Sequence, residues 1–188
     1  PPAFPADAYA PLADQLAALL GTRNDVLLIQ AEAVLALEAV ATSLARPDLT
    51  ALNIVTSPYG SWFGGWLSRG DVHVNNLQAT PAKPITTDAV AAALDAAPDT
   101  KILALVHAES ASGILNPLEE IVALAKTRGI ITVVDAVASV GGHPLDVDRL
   151  GIDIAVIGPQ KSLAGPAGLS AIAISKAAWA FLDHDNPP

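Results

Sequence analysis

The sequence predicts an α/β fold in which a mostly parallel sheet carries helices on both faces. Two patterns lead to this expectation. Short strand-length runs are apolar throughout, and they alternate with segments of helical period ten or more residues long. The bulk composition agrees, since 52% of the 188 residues are hydrophobic and 15% are charged, the balance of a soluble globular protein with a sizeable core.

Taken in order, Asp7 to Leu20 places Leu12, Leu16, Leu19 and Leu20 at helical spacing, and Gly21-Thr22 stops the helix. An apolar run at Asp25–Ile29 precedes a helical stretch at Glu32–Ala45. The next run is Ala51–Thr56, followed by a segment rich in Gly and aromatics at Tyr59–Leu67 and a short strand at Val72–Asn75. Pro81 and Pro84 mark a loop. A helix then runs from Thr87-Asp88 to Ala97, with a strand at Ile102–Val106, a helix at Pro117–Thr127 and a strand at Ile130–Val134. Runs at Ile152–Ile157 and Leu169–Ile174 complete the series.

Composition narrows the function classes. Zero Cys removes disulfides, thiolate metal sites and cysteine nucleophiles. Ten Lys and Arg against 19 Asp and Glu give a formal charge of −9, which argues against phosphate backbones and anionic lipid as partners. No apolar run reaches the roughly 18 residues of a membrane helix, and a reducing cytoplasm is the expected compartment. His73, His107, His143 and His184 never pair at ligand spacing, so no metal site is expected. With no Met and with ends at Pro1-Pro2 and Asn186-Pro187-Pro188, the chain is expected to be an internal piece of a longer protein.

In open α/β sheets, ligands sit beyond the carboxyl ends of the strands. The windows to search are therefore Gln30–Val34, Ser57–Gly60, His107–Gly113, Asp135–Ser139 and Gly158–Ser162. Two ionisable residues stand out there. Asp135 ends the run Ile130–Val134; its plainer role is to cap the turn that begins at Ala136. Lys161 follows Gly158-Pro159-Gln160, between an apolar run and the apolar stretch Leu163–Leu169. A charged ammonium is costly there and a neutral amine is a nucleophile toward aldehydes; the plainer reading is a surface loop lysine. An amine able to form a Schiff base, with a carboxylate at a neighbouring strand end to hold a pyridinium nitrogen, is the pair that vitamin B6 chemistry requires.

Those residues also carry a resemblance. Val133-Val134-Asp135-Ala136-Val137-Ala138-Ser139, Gly158-Pro159-Gln160-Lys161 and the stretch His107 to Pro117 resemble the class V aminotransferases of fold type I, in particular the alanine–glyoxylate and serine–pyruvate group. The resemblance implies that residues 1–188 are the cofactor-binding large domain, without the N-terminal arm and C-terminal small domain. It implies that Lys161 holds the cofactor as a Schiff base and then moves the proton between the substrate carbon and the cofactor. Asp135 pairs with the ring nitrogen, Ser110 offers a hydroxyl to the cofactor, Tyr59 stacks on its face and Gln160 contacts its phosphate end. Tyr59 also reads as core, because Trp62, Phe63 and Trp66 crowd its segment. A homodimer is implied, as is a small 2-oxo acid such as pyruvate or glyoxylate as amino acceptor.

One departure matters. The family's phosphate cup, at the start of the helix after the first strand, is normally built from Gly and Ser or Thr. This chain reads Gln30-Ala31-Glu32-Ala33-Val34, with Glu32 in place of the small hydroxyl residue. A carboxylate ~4 Å from a phosphate charge costs about 4 kcal/mol at an effective dielectric of about 20, more than the ~1 kcal/mol a helix terminus returns. Glu32-x-Val34-Leu35-x-Leu37-Glu38-Ala39 and Tyr59-Gly60-x-x-Phe63-Gly64-x-Trp66 are similar to the pyridoxamine–pyruvate transaminase branch, which uses free pyridoxal and pyridoxamine as substrates. The expectation is a transaminase of unphosphorylated B6, with Glu32, Ala33 and Val34 at the 5′ end of the ligand. The alternatives are an ordinary pyridoxal 5′-phosphate aminotransferase with Glu32 turned away, a catalytically silent B6-binding homologue, and a desulfurase or β-lyase. None of the five arginines, Arg23, Arg46, Arg69, Arg128 and Arg149, falls in a strand-end window, so the group that grips a substrate carboxylate is expected outside this chain.

Overall fold

The computed structural model describes residues 5–182. His184, singled out in the sequence, lies outside them. Among the described residues seven strands and seven helices alternate except where β7 follows β6 directly: α1 (Ala6–Leu19), β1 (Asp25–Ile29), α2 (Ala33–Leu44), β2 (Thr50–Val55), α3 (Pro58–Ser68), β3 (His73–Gln78), α4 (Thr87–Ala96), β4 (Thr100–Val106), α5 (Leu118–Thr127), β5 (Ile131–Asp135), α6 (Val147–Leu150), β6 (Ile154–Ile157), β7 (Ser170–Ile174) and α7 (Lys176–Leu182). Among the described residues no helix is long and apolar enough to cross a membrane.

The strands form one sheet in the order β1-β7-β6-β5-β4-β2-β3. The pairs from β3 through β2, β4, β5 and β6 are parallel, and β7 runs antiparallel to both of its neighbours, β6 and β1. The mixed direction was not legible in the apolar pattern, because a buried strand looks the same in either sense. Its consequence is local: β6 and β7 are joined end to end by the loop 158–169, which carries Lys161.

Both faces are covered. Leu103, Leu105, Val134, Ala155 and Ile157 meet Val90 and Leu94 of α4 and Ile121 and Val122 of α5. On the other side Ala104, Val133, Ile154 and Val156 meet Leu37 and Val40 of α2 and Phe63 and Leu67 of α3. The strands β2, β5, β6 and β7 are buried along their whole length, which is why their sequences are largely apolar, with Asn53 and Thr132 as buried polar exceptions, while the edge strand β3 is partly exposed and polar.

The expected elements form, with shifts of a few residues. Strand β3 extends three residues past the expected Asn75, and Glu32 is the N-cap of α2 rather than part of it. The stretch Tyr59–Leu67, for which the pattern gave no element, is α3. Ser57 caps it by accepting from the Tyr59 N–H at 3.2 Å, and Pro58 occupies its first turn. Helix α3 lies close on the sheet: a Cβ at Gly60 would meet the Ile54 carbonyl oxygen at 2.8 Å, and one at Gly64 would meet Asn53 Nδ2 at 2.6 Å. The glycines of this segment therefore seat the helix that carries Tyr59.

The end of the sheet opposite the strand-end windows is fastened by Asp153, which is 2% exposed. Its carboxylate accepts from Thr132 N (3.0 Å) and Oγ1 (3.2 Å), Ser175 Oγ (3.0 Å) and Lys126 Nζ (3.0 Å), tying β5, β6, β7 and α5 together. Asp153→Ala leaves the buried Thr132 N–H without an acceptor. It is expected to lower the unfolding free energy by about 3 kcal/mol, read as an earlier midpoint in urea.

Candidate functional site

Every one of the five strand-end windows contributes to a single cavity of about 180 Å³. Glu32, Ala33 and Val34 come from the start of α2, Tyr59 from the first turn of α3, Ala108 and Ser110 from beyond β4, Asp135, Val137 and Ala138 from the end of β5, and Gln160 and Lys161 from the β6–β7 loop. All eight residues singled out in the sequence (Glu32, Ala33, Val34, Tyr59, Ser110, Asp135, Gln160 and Lys161) line it. Leu37 and Val106 complete the wall from inside α2 and β4, where they read simply as core. None of the five arginines reaches it.

Asp135 closes the bottom. It is 9% exposed, and its Oδ1 accepts from the Val137 N–H at 3.0 Å, so the turn-capping role and a place in the cavity coexist. Burial pushes its carboxyl up to about 6; the Val137 N–H and Lys161 pull the other way, and Glu109 adds to the rise. An acid whose proton affinity is raised in this way is a strong acceptor for a protonated ring nitrogen.

Lys161 differs from expectation. It is half-buried rather than enclosed in apolar surroundings, because the stretch 162–169 is itself mostly exposed. Its Nζ donates to Ser110 Oγ at 3.0 Å and stands 5.6 Å from the centre of the Tyr59 ring. Tyr59 is half-buried and meets Trp62 edge-on, with ring centres 5.2 Å apart, which leaves its other contacts free to form a wall of the cavity.

Glu32 is turned toward the β6–β7 loop. Its Oε2 accepts from Gln160 Nε2 at 3.0 Å and its Oε1 from the Gly168 N–H at 2.8 Å. Because the carboxylate fixes which end of the Gln160 amide faces it, Gln160 Oε1 is left as a buried acceptor without a partner.

The sequence reading missed a buried polar network beside the site. Thr56 Oγ1 donates to Glu109 Oε1, Asn116 Nδ2 donates to Thr56 Oγ1 (3.1 Å) and to the Val106 carbonyl (2.7 Å), and the Asn116 side chain accepts from the Ile85 N–H (3.1 Å). Polar residues directly after two apolar strands were the available signal. His107 faces away from the cavity, since strand alternation sends Val106 and Ala108 into it; burial with His143 nearby holds the His107 imidazole down at about 4.

Comparison with known proteins follows the same lines. The sequence profile of the family described as aminotransferase class-V matches residues 6–185. Pyridoxamine–pyruvate transaminase of Mesorhizobium japonicum is 35% identical over 172 residues, covering 92% of this chain and 44% of that protein. The crystal structure of pyridoxamine–pyruvate aminotransferase from Mesorhizobium loti superposes with a TM-score of 0.90 at 34% identity, covering 95% of this chain and 45% of that one. Alanine–glyoxylate aminotransferase from Nostoc sp. gives 0.90 at 26% identity, covering 96% and 48%. The chain thus spans less than half the length of these relatives.

The raised Asp135 proton affinity has a stability consequence. The carboxyl holds its proton more tightly folded (about 6) than unfolded (3.8), so its contribution is fully present below about pH 4 and is lost as pH rises through about 6. Asp135→Asn is expected to leave the ligand-free protein unchanged near pH 4 and to stabilise it by about 3 kcal/mol at most near pH 8, in denaturant titrations at the two pH values.

Proposed function

The chain belongs to the class V aminotransferase family, and on that premise we propose that it is the large, cofactor-binding domain of a transaminase that takes unphosphorylated vitamin B6, moving an amino group from pyridoxamine to a small 2-oxo acid such as pyruvate or glyoxylate. The observation that carries this reading is the Glu32 carboxylate at the first turn of α2.

Class V aminotransferases in general depend on pyridoxal phosphate, so the two ends of that molecule are tested separately against the cavity. The ring end fits: the buried Asp135 acid would pair with the ring nitrogen, Tyr59 would offer a stacking surface, and Lys161 Nζ, paired with Ser110 Oγ, would meet the aldehyde. The phosphate end does not. Where a phosphate needs donors, the cavity sets the Glu32 carboxylate, an acceptor, at the start of α2, against the donors of that helix terminus. A neutral hydroxymethyl group, which brings its own donor, suits that carboxylate. The two hydrogen bonds Glu32 already accepts leave lone pairs free for a third.

When bound, the B6 ring supplies an electron sink for the carbon that carries the migrating amine. The residues of this chain do the rest. Asp135 accepts the hydrogen bond of the ring nitrogen and keeps a proton on that atom. Tyr59 covers one face of the ring and excludes water from it. Lys161 Nζ would hold the aldehyde form of the ligand and, when released, carry the proton between the substrate carbon and C4′; Ser110 Oγ accepts from Nζ and holds it in place. Leu35 and Trp62, exposed on α2 and α3 next to cavity residues, belong to the surface that a homodimer covers in this reading.

Two measurements on the intact protein test the proposal. Equilibrium binding is expected to favour pyridoxal over pyridoxal phosphate, and Glu32→Ser is expected to raise affinity for the phosphate form by on the order of a thousandfold, the equivalent of about 4 kcal/mol. A wild-type preference for the phosphate form that Glu32→Ser leaves unchanged contradicts the reading and returns the protein to the ordinary pyridoxal phosphate enzymes. Lys161→Ala is expected to abolish the visible absorption that appears on mixing with pyridoxal; a retained band removes Lys161 from its role.

A further inference from the structure

The Glu32 carboxylate does more in this fold than occupy the phosphate end of the cavity. Its two hydrogen bonds reach across 128 and 136 residues of chain to the two sides of Lys161, one to the side chain of the residue immediately before it and the other to the backbone N–H of Gly168, near the end of the same loop. Within the loop the Ala164 N–H donates to the Lys161 carbonyl (2.9 Å), the Gly165 N–H donates to the Pro159 carbonyl (2.8 Å) and Leu163 packs on the core, while Ser162, Ala164, Pro166, Ala167 and Leu169 are exposed, so its side-chain tethers to α2 are the two from Glu32. Gly168 is held at φ +81°, a left-handed conformation, and its N–H donates to Glu32 Oε1. Lys161 Nζ meets Ser110 only if the loop keeps this position.

We propose that Glu32 is a positioning residue for Lys161, a carboxylate latch that pins the β6–β7 loop to the start of α2. This rests on the reading of Lys161 as the amine that attacks the B6 aldehyde and deepens the reading of Glu32. An anion entering at α2 has to push Glu32 aside and so releases the loop. Exclusion of phosphate and placement of the lysine are then one device: the phosphate form is penalised in the reactivity of Lys161 as well as in affinity. A neutral hydroxymethyl leaves both tethers in place.

The test is amide hydrogen exchange on the intact protein prepared without any vitamin B6, in wild type, Glu32→Ala and Gln160→Leu. Hydrogen bonds to a charged acceptor are among the stronger ones, so Glu32→Ala is expected to speed exchange across 158–169 by about tenfold or more, while β4 and β5 exchange as in wild type. Gln160→Leu, which removes one tether, is expected to give a smaller increase and to slow the appearance of visible absorption with pyridoxal. The double exchange Glu32→Gln with Gln160→Glu rebuilds both tethers and is expected to restore slow exchange in the loop. Loop exchange equal to wild type in Glu32→Ala overturns the latch. That result is independent of which B6 form binds more tightly, so the latch and the ligand preference can fail separately.

Discussion

A carboxylate buried at the carboxyl end of a central parallel strand is the constraint on which this site is organised. Asp135 sits where β4, β5 and β6 end side by side, 9% exposed, with its proton affinity raised by burial. Such a group is unfavourable while ionised and unpaired, and in the proposed reading a cationic ring nitrogen relieves that cost. The Val137 N–H satisfies one oxygen, Tyr59 and Val106 line the same cavity, and Lys161 reaches it from the loop that the antiparallel β7 makes possible.

That arrangement depends on the fold at a distance from the chemistry. Asp153 fastens β5, β6 and β7 at the opposite end of the sheet, which fixes the register that brings Asp135 and the start of the Lys161 loop level with each other. The close seating of α3 through Gly60 and Gly64 fixes the height of Tyr59 above the sheet. Glu32 then joins α2 to the β6–β7 loop, so the three walls of the cavity come from elements that are each tied to the same sheet.

Much of this was legible in the sequence, and the limits are instructive. The strands were readable because burial on both faces leaves little polar alternation to confuse them, and once strands were placed, the rule that ligands gather at carboxyl ends gave the windows; chemistry picked Asp135 and Lys161 from them, and the family resemblance picked the other six residues that line the cavity. Direction within the sheet was not readable, so the antiparallel β7 was missed. Helix α3 was hidden by its Gly and aromatic content, although Ser57-Pro58 carried a start signal. Lys161 was expected in an apolar enclosure because Leu163 to Leu169 are apolar by name; in the fold that stretch is a loop at the surface, and Ser110 supplies the partner instead. The Thr56–Glu109–Asn116 network was out of reach because it joins three segments that are distant in sequence.

The most direct test of the account is a crystal structure of the intact protein with pyridoxal bound. The expected result is continuous density from Lys161 Nζ to the C4′ carbon, the ring nitrogen within hydrogen-bond distance of Asp135, and the 5′-hydroxyl against Glu32 with Gly168 still donating to that carboxylate. A ring turned so that its nitrogen faces away from Asp135, or a 5′ arm directed away from α2, would contradict it.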